Sequence, residues 1–153
     1  GKAGDRPIEI EGLIPGMAVH FAGCCHPLPG ERIVGIVTTG KGVTIHTIDC
    51  ETLETYQDMP ERWLDVSWNL EADNARIGRL TVMVANEPGT LGELTTVIGK
   101  NEGNISNLKF AARSTDFFEM LIDVEVRDVR HLTTIIAALR ASPVVASVER
   151  ARG

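Results

Sequence analysis

The ten residues FFEMLIDVEV, 117–126, alternate without a break. Phe118, Met120, Ile122, Val124 and Val126 share one parity, while Glu119, Asp123 and Glu125 share the other. Successive side chains of a strand point to opposite faces, so this stretch must be a strand with one face buried. A strand of that kind belongs to a sheet covered on one side, and the flanking segments supply the cover. RLTVMVA (79–85) alternates in the same way. After the breaker NEPG, Thr90-Leu91-Gly92-Glu93 has the form in which a threonine and a glutamate cap a helix start, and Leu91, Leu94, Val97 and Ile98 follow at helical spacing. Gly103 stands where a left-handed residue would end that helix. NISNLKFAAR (104–113) reads as a strand and residues 114–116 as a hairpin turn. Asp128 is placed to cap a helix carrying Val129, Leu132, Ile135, Ile136 and Leu139. SPVVASVER (142–150) opens on a proline and reads as a last strand.

The order is strand, helix, strand, strand, helix, strand. Right-handed crossovers then give a four-stranded antiparallel sheet with both helices on one face. Thr81, Met83, Phe117 and Leu121 fall on the uncovered face. A second copy or another domain is the expected cover.

The first half is less regular. RIVGIVTTGKGVTIHTI reads as a hairpin turning at Gly40-Lys41-Gly42. DCETLETYQD reads as a short helix capped by Asp49, and residues 62–68, RWLDVSW, as a closing strand with Leu64, Val66 and Trp68 inward. The polar stretch NLEADNARIG separates the halves, giving expected domains of 1–72 and 73–153. The overall class is α+β.

Charge follows the same division. Residues 1–75 carry 12 acidic and 5 basic side chains, against 9 and 10 in residues 76–153. Neither half is basic enough to bind nucleic acid through bulk charge. No apolar run approaches the ~20 residues of a membrane-spanning helix, and no export signal is visible. Three cysteines, two of them adjacent, fit a reducing cytoplasm better than a disulfide framework. The absence of an initiator Met at Gly1 leads us to expect a piece of a longer protein.

Those cysteines lie in FAGCCHPLPG and VTIHTIDC. Cys24, Cys25, His46 and Cys50 supply the four soft or borderline ligands of a zinc site, with His20 and His26 as alternatives. Adjacent cysteines tend to point apart, so one of the pair is expected to bind and the other to pack. Buried structural cysteines are the bland alternative. A disulfide between Cys50 and Cys24 or Cys25 is a third.

NEPGTLGELTTVIGKNEGNI resembles the signature of ACT domains. FAGCCHPLPGERIVGIVTTGKGVTIHTIDC resembles the cysteine-containing module, called the zinc-finger or RIS domain, that precedes the ACT domain in long Rel/SpoT proteins. Those are bacterial (p)ppGpp synthetase/hydrolases of the stringent response. The resemblance implies a small α+β RIS module followed by a ferredoxin-like βαββαβ ACT domain. It implies a regulatory region without catalysis of its own, acting on catalytic domains elsewhere in the parent. It also implies a homodimer, with a branched-chain amino acid, valine or isoleucine, bound at the ACT dimer interface. Onto this sequence the site carries over as Val84, Asn86, Glu87, Pro88, Gly89, Thr90, Leu91, Asn104 and Ile105. Amides of Gly89, Thr90 and Leu91 at a helix start favour a carboxylate. Asn86 stands where many ACT domains carry Asp, and would meet the ammonium without adding a charge. The bland reading of NEPG is a turn alone. The family also implies contact of the RIS module with ribosomal RNA and tRNA, for which Arg32 and Lys41 are the candidates. A ribosome-docking and dimerising module with no small ligand is the alternative.

Overall fold

The computed structural model describes residues 10–69 and 75–151. It divides into two compact units, the second beginning at Ala75.

The first unit is built on a four-stranded sheet of order β2-β4-β3-β5, formed by β2 (Val19–Phe21), β3 (Ile33–Thr38), β4 (Gly42–Thr47) and β5 (Trp63–Leu64). The expected hairpin is β3–β4, in register from Ile33↔Thr47 to Thr38↔Gly42. β2 adds to β4 in parallel, which three residues, VHF, were too short to announce. Two expectations fail here. RWLDVSW is not one strand. It splits into β5, which pairs with β3, and β6 (Ser67–Trp68), which pairs with β1 (Ile10–Glu11) in a separate two-stranded sheet. Asp49 does not hold the N-cap position either. Residues Glu51–Tyr56 form 3-10 turns whose N-cap is Cys50. Ile10, Ile33, Val43, Ile45, Val66 and Trp68 make one small core, and Val34, Ile36 and Leu53 another. Trp68 stacks on Phe21 at 5.8 Å and donates its indole N–H to the Glu31 carbonyl at 3.1 Å. Its polar edge is thereby satisfied as its rings are buried.

The second unit has β7 (Arg76–Ala85), α1 (Thr90–Lys100), β8 (Asn104–Arg113), β9 (Phe117–Val126), α2 (Val129–Arg140) and β10 (Val145–Arg150). Its sheet is antiparallel throughout, of order β10-β7-β9-β8, the ferredoxin-like arrangement that the resemblance implies. Met120, Ile122, Val124 and Val126 are buried with Leu80, Val82, Val84, Leu94, Ile98, Leu132, Ile135 and Leu139. Asp128 caps α2, accepting the His131 N–H at 2.8 Å. His131 is itself buried and joins the two helices. Its Nδ1 accepts from the Arg127 N–H at 3.0 Å, and its Nε2 donates to the Asn101 carbonyl at 2.7 Å.

Both helix-end expectations around α1 fail. The N-cap is Gly89, at φ 86°, with no side-chain cap, so Thr90 is the first helical residue and no capping box forms. The glutamate expected to complete that box, Glu93, instead accepts from the Ser142 hydroxyl at 3.1 Å. At the far end the left-handed residue is Glu102, at φ 64°, not Gly103. Among the described residues no helix is long and apolar enough to cross a membrane.

Candidate functional site

In the first unit the chain after β2 winds tightly. The His26 N–H reaches back to the Ala22 carbonyl at 3.0 Å, and His26 takes a left-handed φ of 46°. This winding corrects the expectation that the two cysteines point apart. Ligand atoms of Cys24, Cys25, His46 and Cys50 all lie within 4.8 Å of one another. Cys24 Sγ is 3.4 Å from His46 Nδ1 and 3.5 Å from Cys50 Sγ. Those spacings suit a metal. A tetrahedron with metal–sulfur bonds of ~2.3 Å has edges of roughly 3.8 Å. His20 stands apart, its Nε2 donating to the Lys41 carbonyl at 3.0 Å, and His26 is not among the four.

The four groups differ in their surroundings. Cys25 has no exposed surface, and its sulfur accepts the Thr47 N–H at 3.4 Å. Burial pushes its thiol up to about 12, with Cys50 and Cys24 adding to the rise and hydrogen bonding from Thr47 opposing it. Burial also holds the His46 imidazole below its ordinary value, which keeps it in the neutral form a metal requires. At Cys50 burial acts upward but is outweighed by hydrogen bonds from Thr52, Cys24 and Cys25, so its thiol is lowered.

The two cations proposed for RNA contact do not form a patch. Both are exposed, but Arg32 precedes β3 while Lys41 sits in the turn after it. The hairpin separates them by roughly 20 Å at about 3.3 Å per residue.

In the second unit, Glu87, Pro88 and Gly89 are exposed between β7 and α1. A Cβ on Gly89 would meet nothing within 4 Å, so open space lies over the helix start. Beneath it Thr90 is 3% exposed, and its hydroxyl has no partner among the described residues. Leu91 is 45% exposed and Ile105 half-buried, whereas Val84 is wholly buried and bounds the site from beneath.

One chain does not bring the two asparagines together. Asn86 Nδ2 donates to the Ser114 carbonyl at 2.8 Å, at the far end of β8. Asn104 opens β8, opposite Glu125, and donates to its carboxylate at 2.8 Å. The length of β8, roughly 30 Å at about 3.3 Å per residue, separates them. Near the Asn86 end lies a cluster that the sequence did not flag. Phe110 and Phe118 meet edge to face at 5.3 Å, with the Arg113 guanidinium 5.6 and 5.0 Å from the two rings. A register shift between Phe110 and Ala112 breaks the alternation that would have revealed it.

Residues 8–69 match the RelA/SpoT RIS domain family, and residues 73–150 match the ACT domain family. The chain is 42% identical over 156 residues to the GTP pyrophosphokinase rsh of Brucella abortus (strain 2308), covering 99% of this chain and 20% of that protein. It is 34% identical over 137 residues to the bifunctional (p)ppGpp synthase/hydrolase SpoT of Escherichia coli (strain K12), covering 90% of this chain and 20% of that one. The chain therefore spans about a fifth of the length of the curated relatives it matches. The crystal structure of the ACT domain from a Chlorobium tepidum GTP pyrophosphokinase is 25% identical, with a TM-score of 0.44 over 50% of this chain and 97% of that one.

Proposed function

The chain belongs to the RelA/SpoT family, as an RIS domain followed by an ACT domain, and from that premise we propose that it is a regulatory region reading a free branched-chain amino acid at a seam between two ACT sheets. The observation that carries this reading is the separation of Asn86 from Asn104. β8 is an edge strand, and in a symmetric pair two such edges run antiparallel. That pairing sets Asn104 of one copy beside the Ser114 turn and Asn86 of the other. Each seam end then offers two side-chain amides, an α1 N-terminus and a buried Thr90 hydroxyl with no partner among the described residues. The ligand carboxylate faces the helix start, where free N–H groups and the dipole favour an anion. The Asn86 amide donates inward to Ser114, leaving its oxygen for the ammonium. Leu91 and Ile105 receive the aliphatic side chain.

Ligand binding shifts the parent enzyme only by the difference in affinity between its states, and the balance of alarmone synthesis and hydrolysis in the catalytic domains is the quantity shifted. Calorimetry with valine, isoleucine and serine tests the reading. Valine and isoleucine release heat and serine does not. The two aliphatic ligands differ by no more than about 1–3 kcal/mol, the worth of one methylene in an apolar pocket. Absence of heat with all three, at concentrations where the chain is dimeric, rules the reading out.

We infer further that the RIS unit holds structural zinc. The convergence of Cys24, Cys25, His46 and Cys50 supports this. Four protein donors leave no open position for a reacting water, so the metal would brace two small cores and catalyse nothing. Metal analysis before and after chelation, with thermal unfolding of each form, tests it. One zinc per chain and a lower Tm after chelation are expected. A metal-free chain of unchanged Tm after zinc addition contradicts it.

A further inference from the structure

Two of the four clustered side chains have a property that zinc binding does not call on. Cys24 Sγ and Cys50 Sγ lie 3.5 Å apart, both residues are half-buried, and both stand outside regular strands. Cys24 sits in the turn after β2, and Cys50 heads the 3-10 turns. Cys25 is the opposite case, enclosed and held by the Thr47 N–H at the end of β4. A disulfide places its sulfurs ~2.05 Å apart, so a movement of about 1.5 Å, shared between two loop positions, closes the Cys24–Cys50 gap. Joining Cys24 to its neighbour Cys25 would force a strained ring, and Cys25 offers no surface to an incoming reagent.

We propose that Cys24 and Cys50 are a thiol–disulfide exchange pair, oxidised reversibly by a low-molecular-weight disulfide. One of the two, as thiolate, attacks a sulfur of the disulfide RSSR. A mixed disulfide forms on the protein, and RS⁻ leaves to take up the proton that the thiol released. The second cysteine, again as thiolate, attacks the protein sulfur of that mixed disulfide and expels the other RS⁻, which is protonated in turn. Two protein thiols are oxidised to one disulfide, and RSSR is reduced to two RSH. An excess of small thiol runs both steps backwards.

A consequence rests on the zinc reading. Oxidation withdraws two of four donors, and Cys25 with His46 alone cannot hold a tetrahedral metal. The unit then carries either the metal or the disulfide.

The test uses the chelator-stripped chain, incubated with glutathione disulfide, then unfolded in denaturant in the presence of an alkylating agent so that every remaining thiol is trapped, and mapped by peptide mass. A Cys24–Cys50 cross-link is expected, lighter by two hydrogens, with Cys25 alkylated and dithiothreitol restoring all three thiols. Cys24→Ser should stop at a glutathione adduct on Cys50, while Cys25→Ser should still cross-link. Circular dichroism checks that each variant folds. Zinc content of the reduced and cross-linked forms is measured in parallel. Three alkylated cysteines after exposure, or cross-links through Cys25 as often as through Cys24, overturn the proposal. Reduced protein that takes up no zinc yet cross-links at Cys24 and Cys50 upholds the exchange pair and sinks the zinc reading alone.

Discussion

Gly103 has no room for a side chain. A Cβ there would stand 2.8 Å from Ile135 Cδ1 and Ile98 Cγ2 and 2.9 Å from Val124 Cγ1. The sequence marks this glycine as a helix stop, yet its neighbour Glu102 takes the left-handed conformation. The reason lies outside any local window, because the crowding atoms come from α1, α2 and β9. Gly103→Ala should therefore overpack the core and lower stability by about 1–3 kcal/mol, read from the urea midpoint. Cys25 carries a second prediction at this scale, for the metal-free chain. Its folded thiol sits at about 12 against an ordinary 9.0. The native state keeps its proton where the unfolded chain has lost it, so this contribution is complete below 9 and disappears as pH climbs towards 12. The chelated protein should lose thermal stability over that window, and Cys25→Ser should flatten the loss. A steady Tm across the window would contradict the assignment. Convergence of Cys24 with Cys25 is hidden in the sequence for a similar reason, since both lie inside a tight turn, closed by the His26 N–H on the Ala22 carbonyl, that the residue types do not advertise.

Among the elements, those with long uninterrupted patterns were legible and the short ones were not. Ten alternating residues declared β9, and α2 announced itself by its cap and apolar spacing. RWLDVSW looked continuous because it alternates, but its two ends answer to different partners, β3 and β1, which no local pattern encodes. Two ties between elements are open to test. Arg79 on β7 holds Asp123 on β9 with two hydrogen bonds, of 2.7 and 3.1 Å. The pair is partly shielded, and Asp123 keeps the guanidinium further above its ordinary range through that hydrogen bonding. Asp123→Ala should cost about 1 kcal/mol in chemical denaturation, with part of the loss disappearing at high salt. Asp128→Ala removes the α2 cap and should cost about 1 kcal/mol, most of it retained at high salt because the cap is a direct hydrogen bond.

At the scale of the whole molecule, the sequence conveyed the kinds of domain present, and the family resemblance implied a ligand at a dimer interface, but neither said which residues each copy would contribute. Asn86 and Asn104 look like two halves of one pocket in a linear reading, only eighteen positions apart. The fold places them at opposite ends of β8, so the pocket proposed above would take one asparagine from each of two chains. On that proposal dimerisation and ligand binding form one equilibrium, and dilution should weaken both together. Mixing two variants tests this most directly. Asn86→Ala and Asn104→Ala each damage every site in their own homodimers. A mixed dimer gathers both lesions at one seam end and leaves the other intact. Calorimetry should find valine binding lost in each variant alone and recovered, at one site per mixed dimer, when the two are combined. Recovery of nothing on mixing, with dimer exchange verified, would contradict a site shared between chains.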